Sequence, residues 1–122
     1  MNKKIAIIDD EQDIIDILNK FLSRSGKFDI TSFTNPLNAL NLAKSNQYDL
    51  ILLDIMMPQM DGIDFLKEIK KSSPNTKVIM MTAFSTQDKI IDSSKTGADD
   101  YLTKPFISLR DVENKVLDNL GM

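Results

Sequence analysis

Chemistry in this chain has to rest on oxygen and nitrogen groups other than imidazole. The sequence contains no cysteine and no histidine. That removes thiolate nucleophiles, thiolate zinc sites, disulfides, imidazole bases and Ser-His-Asp triads. Carboxylates, amines and hydroxyls remain, and five of them stand at marked places. Asp9 and Asp10 close one short apolar run. Asp54 closes a second, Leu50 to Leu53, and Thr82 a third, Lys77 to Met81. Lys104 follows a brief segment, Tyr101 to Thr103. Acids from separate segments that meet at one place repel, and a hard divalent cation relieves the repulsion. Mg²⁺, with Mn²⁺ as its substitute, takes carboxylates, waters and a phosphate oxygen in such a site. Lys104 offers a second, compact positive charge suited to a phosphoryl oxygen.

The elements that must hold these groups can be read in order. Lys4–Asp9 reads as strand one. A helix over Glu11–Ser25 follows, with Ile14, Ile15, Ile17, Leu18, Phe21 and Leu22 at helical spacing and Ser25-Gly26 as its stop. Asp29–Phe33 is a weak, partly polar strand suited to a sheet edge. Asn35 is an N-cap and Pro36 a first helical residue; that helix runs to about Asn46 with Leu37, Leu40 and Ala43 inward. Leu50–Asp54 is a continuous aliphatic run, the mark of a strand buried on both faces.

Pro58 and Asp61-Gly62 mark the loop beyond it, read as a turn with Gly62 at positive φ. Ile63, Leu66 and Ile69 stripe a third helix that ends near Ser72, Ser73 and Pro74. Lys77–Thr82 is strand four. Ser85 or Thr86 caps a short helix bearing Ile90 and Ile91, which ends at Thr96-Gly97. Asp99-Asp100 reads as a solvated turn before strand five, Tyr101–Thr103. Ser108, with Asp111 three residues on, opens the last helix, striped by Leu109, Val112, Val116 and Leu120. Met56, Met57, Met60, Met80 and Met81 read first as packing residues.

Strand and helix alternate five times. That implies an α/β architecture, (βα)5 and doubly wound, with a five-stranded parallel sheet and helices on both faces. Open parallel sheets of this kind bind ligands at the carboxyl ends of their strands, where the five groups stand.

At 122 residues the chain has room for one domain, taken as residues 1–122. The net charge of −3 argues against direct nucleic-acid binding, which favours a basic face. No apolar run approaches the ~20 residues that span a bilayer, so no membrane partner is expected and the cytoplasm is the expected location. The first strand-to-helix loop, Asp9-Asp10-Glu11-Gln12, is anionic and lacks glycine. It would repel a bare phosphate, which speaks against a dinucleotide or flavin site.

Four stretches together carry a specific likeness: Ile8-Asp9-Asp10-Glu11, Leu53 through Gly62 (LDIMMPQMDG), Met81-Thr82-Ala83, and Gly97 through Phe106 (GADDYLTKPF). Across the whole chain the sequence resembles the receiver domain of two-component response regulators, in the manner of the single-domain chemotaxis and sporulation regulators. The resemblance implies the flavodoxin-like strand order 2-1-3-4-5. It implies that Asp54 accepts a phosphoryl group from the histidine of a kinase or phosphotransfer protein. Asp10, Asp54 and the Met56 backbone carbonyl would ligate Mg²⁺, with Asp9 assisting through water. Lys104 would pair with the acceptor and then with the phosphoryl group.

The Thr82 hydroxyl and the Ala83 backbone amide would bind phosphoryl oxygens, and Tyr101 would be the aromatic that turns inward on switching. The Lys104-Pro105 bond would be cis. An effector would read the face made by the fourth helix, fifth strand and fifth helix, on a monomer or a phosphorylation-dependent homodimer. Met57 and Met60 would lie where a kinase touches. Met56 and Phe84, two residues beyond acceptor and threonine, would tune phosphate lifetime. Such a protein catalyses its own phosphorylation and dephosphorylation without being a metabolic enzyme.

Other readings compete. An aspartate-nucleophile phosphatase for small molecules wants a second acid two residues after its nucleophile, and Met56 stands there instead. A phosphate-independent binding module would leave the site idle, yet all five positions carry the right residue type. The chain could equally be a receiver cut from a longer DNA-binding or enzymatic regulator.

Overall fold

The computed structural model describes residues 2–83 and 87–122, with the side chains of 46 and 87–90 left aside. Phe84, the Ser85 or Thr86 cap and the Ile90 stripe position lie outside the described residues. The elements run β1 (Lys3–Ile8), α1 (Gln12–Ser23), β2 (Phe28–Phe33), α2 (Pro36–Asn46), β3 (Leu50–Asp54), α3 (Gly62–Ser72), β4 (Lys77–Thr82), α4 (Gln87–Thr96), β5 (Asp100–Thr103) and α5 (Leu109–Leu120). All strand pairs are parallel, and the sheet order is β2-β1-β3-β4-β5. The expected (βα)5 sheet of order 2-1-3-4-5 is therefore the observed one.

The central strands read as unbroken apolar runs because both their faces are covered. Successive side chains point to opposite faces. Ala6, Ile8, Ile51, Leu53, Val78 and Met80 meet Ala39, Ala43, Phe65, Leu66 and Ile69 of α2 and α3. Ile5, Ile7, Leu50, Leu52, Ile79 and Met81 meet Ile15, Leu18, Leu22, Val112 and Val116 of α1 and α5. Strand β2 has one neighbour, and its exposed positions explain its partly polar sequence.

Three expectations need correction. Leu37 does not face inward: it is 51% exposed. Pro36 starts α2, and the buried stripe runs through Pro36, Ala39 and Ala43 with Leu40 half-buried beside it. Leu37 sits one residue off that stripe, about 100° round the helix. Gly62 is not a positive-φ turn residue; the positive-φ glycines are Gly26, Gly97 and Gly121. Asp61 is instead the N-cap of α3, accepting from the Ile63 amide at 2.8 Å. Gly62 is required because the loop folds back onto the end of β3. A Cβ there would lie 2.4 Å from the Asp54 carbonyl oxygen and 2.7 Å from Ile55 Cα.

Asp99 and Asp100 do not form a merely solvated turn. Asp99 Oδ2 accepts from the Val78 amide at 2.8 Å and from Lys70 Nζ at 2.9 Å. Asp100 lies within β5, where its Oδ2 accepts from Asn119 Nδ2 at 3.0 Å.

Candidate functional site

Strand register sets the site. Ile8 pairs with Leu53, Asp54 with Met81, and Thr82 with Thr103. The carboxyl ends of β1, β3, β4 and β5 are therefore level at one rim. Asp9 and Asp10 leave β1 there, Asp54 ends β3, Thr82 ends β4, and Lys104 follows β5. The Lys104 amide donates to the Thr82 carbonyl at 2.7 Å, which fastens the β5 exit to the β4 exit. The Lys104-Pro105 bond is cis, as the resemblance implied.

The expected acids do come together: a carboxylate oxygen from each of Asp9, Asp10 and Asp54 lies within 4.8 Å of the others. Asp9 is fully buried, Asp54 and Lys104 are nearly so at 5% and 7% exposure, and Asp10 is open to solvent. Lys104 Nζ is in ion-pair contact with Asp9 Oδ2 and lies 3.5 Å from Asp54 Oδ2. It is thus held first by Asp9 and only then faces Asp54. The other Asp9 oxygen accepts from the Glu11 amide at 2.9 Å, at the start of α1. Asp54 Oδ1 accepts from the Met56 amide at 3.3 Å. The Met56 side chain is 60% exposed, whereas Met57 is buried and Met60 half-buried. Thr82 is buried on the strand beside Asp54, and Ala83 is exposed just beyond it.

This geometry strains the charge balance. Burial pushes the Asp54 carboxyl up to about 7, helped by the charge of Asp9 and a hydrogen bond with Asp10. Lys104 and the Met56 amide pull the other way and do not prevail. Burial opposes the charge of Lys104 too. The hydrogen bond with Asp9 and the fields of Asp54, Asp9 and Glu11 outweigh it, so the ammonium is held above the usual lysine range. Three carboxylates face one ammonium, and only one of the three reaches water freely.

Tyr101 stands apart from the acids, on the first half of β5. Its phenol oxygen accepts from Ser93 Oγ of α4 at 3.1 Å, and Lys115 Nζ of α5 donates to its carbonyl at 2.6 Å. Sequence reasoning missed Ser93 and the close approach at Gly62. Ser93 is one of two adjacent serines in a polar helix, with no sequence mark that it is buried. Asp61-Gly62 carries the signature of a turn, which hides an N-cap followed by a steric requirement.

The fold and this rim define a class. The family model for the response regulator receiver domain matches residues 5–116, and the chain belongs to that family of two-component signalling domains. It is 37% identical over 118 residues to the chemotaxis protein CheY of Thermotoga maritima, covering 95% of this chain and 98% of that protein. It is 40% identical over 117 residues to the alkaline phosphatase synthesis transcriptional regulatory protein PhoP of Bacillus subtilis. That match covers 95% of this chain but spans about half, 48%, of the longer relative. Among solved structures, a CheY-like receiver domain from Methanospirillum hungatei superposes with a TM-score of 0.94 at 29% identity, covering 99% of this chain and 95% of the other. No helix among the described residues is long and apolar enough to cross a membrane.

Proposed function

We propose that the chain is a phosphorylation switch in which Asp54 accepts a phosphoryl group from the phosphohistidine of a kinase or phosphotransfer protein. The supporting observation is the mutually repelling set of buried Asp9, buried Asp54 and exposed Asp10 beside Lys104. The donor set is all oxygen and carries excess negative charge, which suits a hard divalent ion. Asp10, Asp54 and the Met56 carbonyl would hold Mg²⁺, or Mn²⁺ in its place, with Asp9 reaching it through water. Bound there, the ion supplies charge neutralisation for both the acceptor and the phosphoryl oxygens.

The residues then have separate tasks. Asp54 must be ionised to act as nucleophile. One of its oxygens attacks phosphorus, the P–N bond breaks, and the imidazole leaves with the electron pair. Lys104, ammonium at neutral pH, moves its allegiance from Asp9 and Asp54 to a phosphoryl oxygen. Thr82 Oγ and the Ala83 amide donate to the remaining oxygens. Positioning and charge do most of the work, as phosphoryl transfer requires little else of a protein. Water later attacks the acyl phosphate, releasing inorganic phosphate and restoring the carboxylate. Exposed Met56 stands beside the acceptor and screens that water, with Phe84 as its counterpart, so the phosphate is comparatively long-lived.

The output is conformational. Drawing Thr82 to the phosphoryl group lets the Tyr101 ring settle inward and remodels the α4–β5–α5 face for an effector or a second copy. The chain serves either as a stand-alone cytoplasmic regulator or as the receiver of a longer DNA-binding or enzymatic one; one domain over 1–122 suits both. The test is incubation with acetyl phosphate and Mg²⁺ followed by intact-mass measurement and peptide mapping. One phosphoryl group on Asp54 is expected. Labelling that survives Asp54→Ala overturns the reading.

A further inference from the structure

Tyr101 is tied at two points to two different helices. Its backbone carbonyl is held by Lys115 of α5, and its phenol oxygen by Ser93 of α4. Ser93 has no exposed surface, and the half-buried Tyr101 ring packs against the core layer that includes Phe65, Leu66 and Met80. A phenol oxygen can reach a fully buried serine only while the ring lies folded onto the sheet. A ring turned out to solvent would exchange this bond for water and take from Ser93 its tyrosine partner. A hydrogen bond made inside the fold, at a site closed to water, is stronger than the exposed one that would replace it.

We propose that Ser93 is a positioning residue for Tyr101: its hydroxyl holds the ring inward and so biases the α4–β5–α5 face toward the arrangement that phosphorylation selects. This rests on the reading of Asp54 and Tyr101 given above. The bias acts by linkage. Whatever favours the inward ring before the phosphoryl group arrives raises affinity for that group, and its removal lowers the affinity by the same factor. A single hydrogen bond between neutral hydroxyls shifts such an equilibrium about 2- to 10-fold. Lys115 grips the Tyr101 backbone, which does not move with the ring. The two ties therefore divide the work: α5 fixes where β5 lies, and α4 reads where the ring lies.

The experiment is a double-mutant cycle. Beryllofluoride, a phosphoryl mimic, is titrated with Mg²⁺ into the wild type, Ser93→Ala, Tyr101→Phe and the double variant, with amide chemical shifts as readout. Both substitutions remove only a hydroxyl, and the Tyr101→Phe protein keeps its ring. Ser93→Ala is expected to weaken binding about 2- to 10-fold in the wild-type background and to have no further effect in the Tyr101→Phe background. An equal loss in both backgrounds would mean that Ser93 only supports packing, and would overturn the proposal. So would unchanged or tighter binding in Ser93→Ala. Failure of the wild type itself to bind beryllofluoride with Mg²⁺ is a different result: it removes the phosphoryl-acceptor reading and this inference with it.

Discussion

The two ends of the sheet use the same residue types to opposite effect. At the amino-terminal rim, each acid has its own donors. Asp49 Oδ2 accepts from the Lys4 amide at 2.8 Å, and Asp99 Oδ2 accepts from the Val78 amide and Lys70 Nζ. Lys77 Nζ adds a distant contact to Asp99 at 4.0 Å. These carboxylates tie off strand starts that would otherwise leave backbone N–H groups without partners. At the carboxyl-terminal rim, three acids crowd together, and two of them, Asp9 and Asp54, pair with the same lysine. At one end the carboxylates are met from within the fold; at the other the acids outnumber the cation beside them. Unmatched charge, and not acidity itself, marks the working end.

The largest expected difference between the rims is in sign. With metal absent at pH 8, Asp54→Asn removes a buried carboxylate whose ionisation the fold resists. The rise from 3.8 to about 7 corresponds to at most about 4 kcal/mol at ~1.4 kcal/mol per pH unit, and stability should rise by a good part of that. Asp99→Ala takes the partner from a strand amide and a lysine, and should cost about 2 kcal/mol while leaving phosphoryl uptake intact. Urea unfolding of both variants decides it. Destabilisation by both would erase the contrast.

The pH dependence sharpens the same contrast. The folded Asp54 pKa lies above the unfolded one, so between roughly pH 4 and 7 the folded state keeps a proton that the unfolded state loses. Asp54 therefore makes metal-free stability fall as pH rises through that window, with no further loss above it. Thermal melts of wild type against Asp54→Asn should diverge across this range. Parallel curves would contradict the account.

A smaller effect separates two glycines. Gly62→Ala forces a methyl onto the Asp54 carbonyl, and should cost about 2–3 kcal/mol and disturb the acceptor loop. Gly26→Ala meets nothing within 4 Å and bears only its positive φ of 69°, a cost of about 1 kcal/mol. Equal melting temperatures would show that the close approach at Gly62 relaxes freely.

Much of this was legible in the sequence, for identifiable reasons. Aliphatic runs such as Leu50–Leu53 announce strands covered on both faces, and strict alternation with helices leaves few topologies. The acids, Thr82 and Lys104 were legible because each ends such a run, and a parallel sheet brings run-ends to one rim. The phase of α2 was not legible: Leu37 is more apolar than Ala39, yet Pro36 sets the helix start and turns Leu37 outward. Asp99 looked like turn material because its partners, the Val78 amide and Lys70, lie 21 and 29 residues away. Gly62 and Ser93 were hidden because the chain folds back on them from seven or eight residues away, which no local pattern marks.

The central claim is that charge left unmatched at the carboxyl rim makes a Mg²⁺-dependent site. Titration of Mg²⁺ into the protein at pH 8, followed by backbone amide shifts, tests it most directly. The account predicts saturable one-to-one binding that moves the amides of Asp9, Asp10, Asp54, Met56 and Lys104, leaves Asp49 and Asp99 still, and disappears in Asp10→Asn. Binding at the amino-terminal rim, or no saturable binding at all, would contradict it.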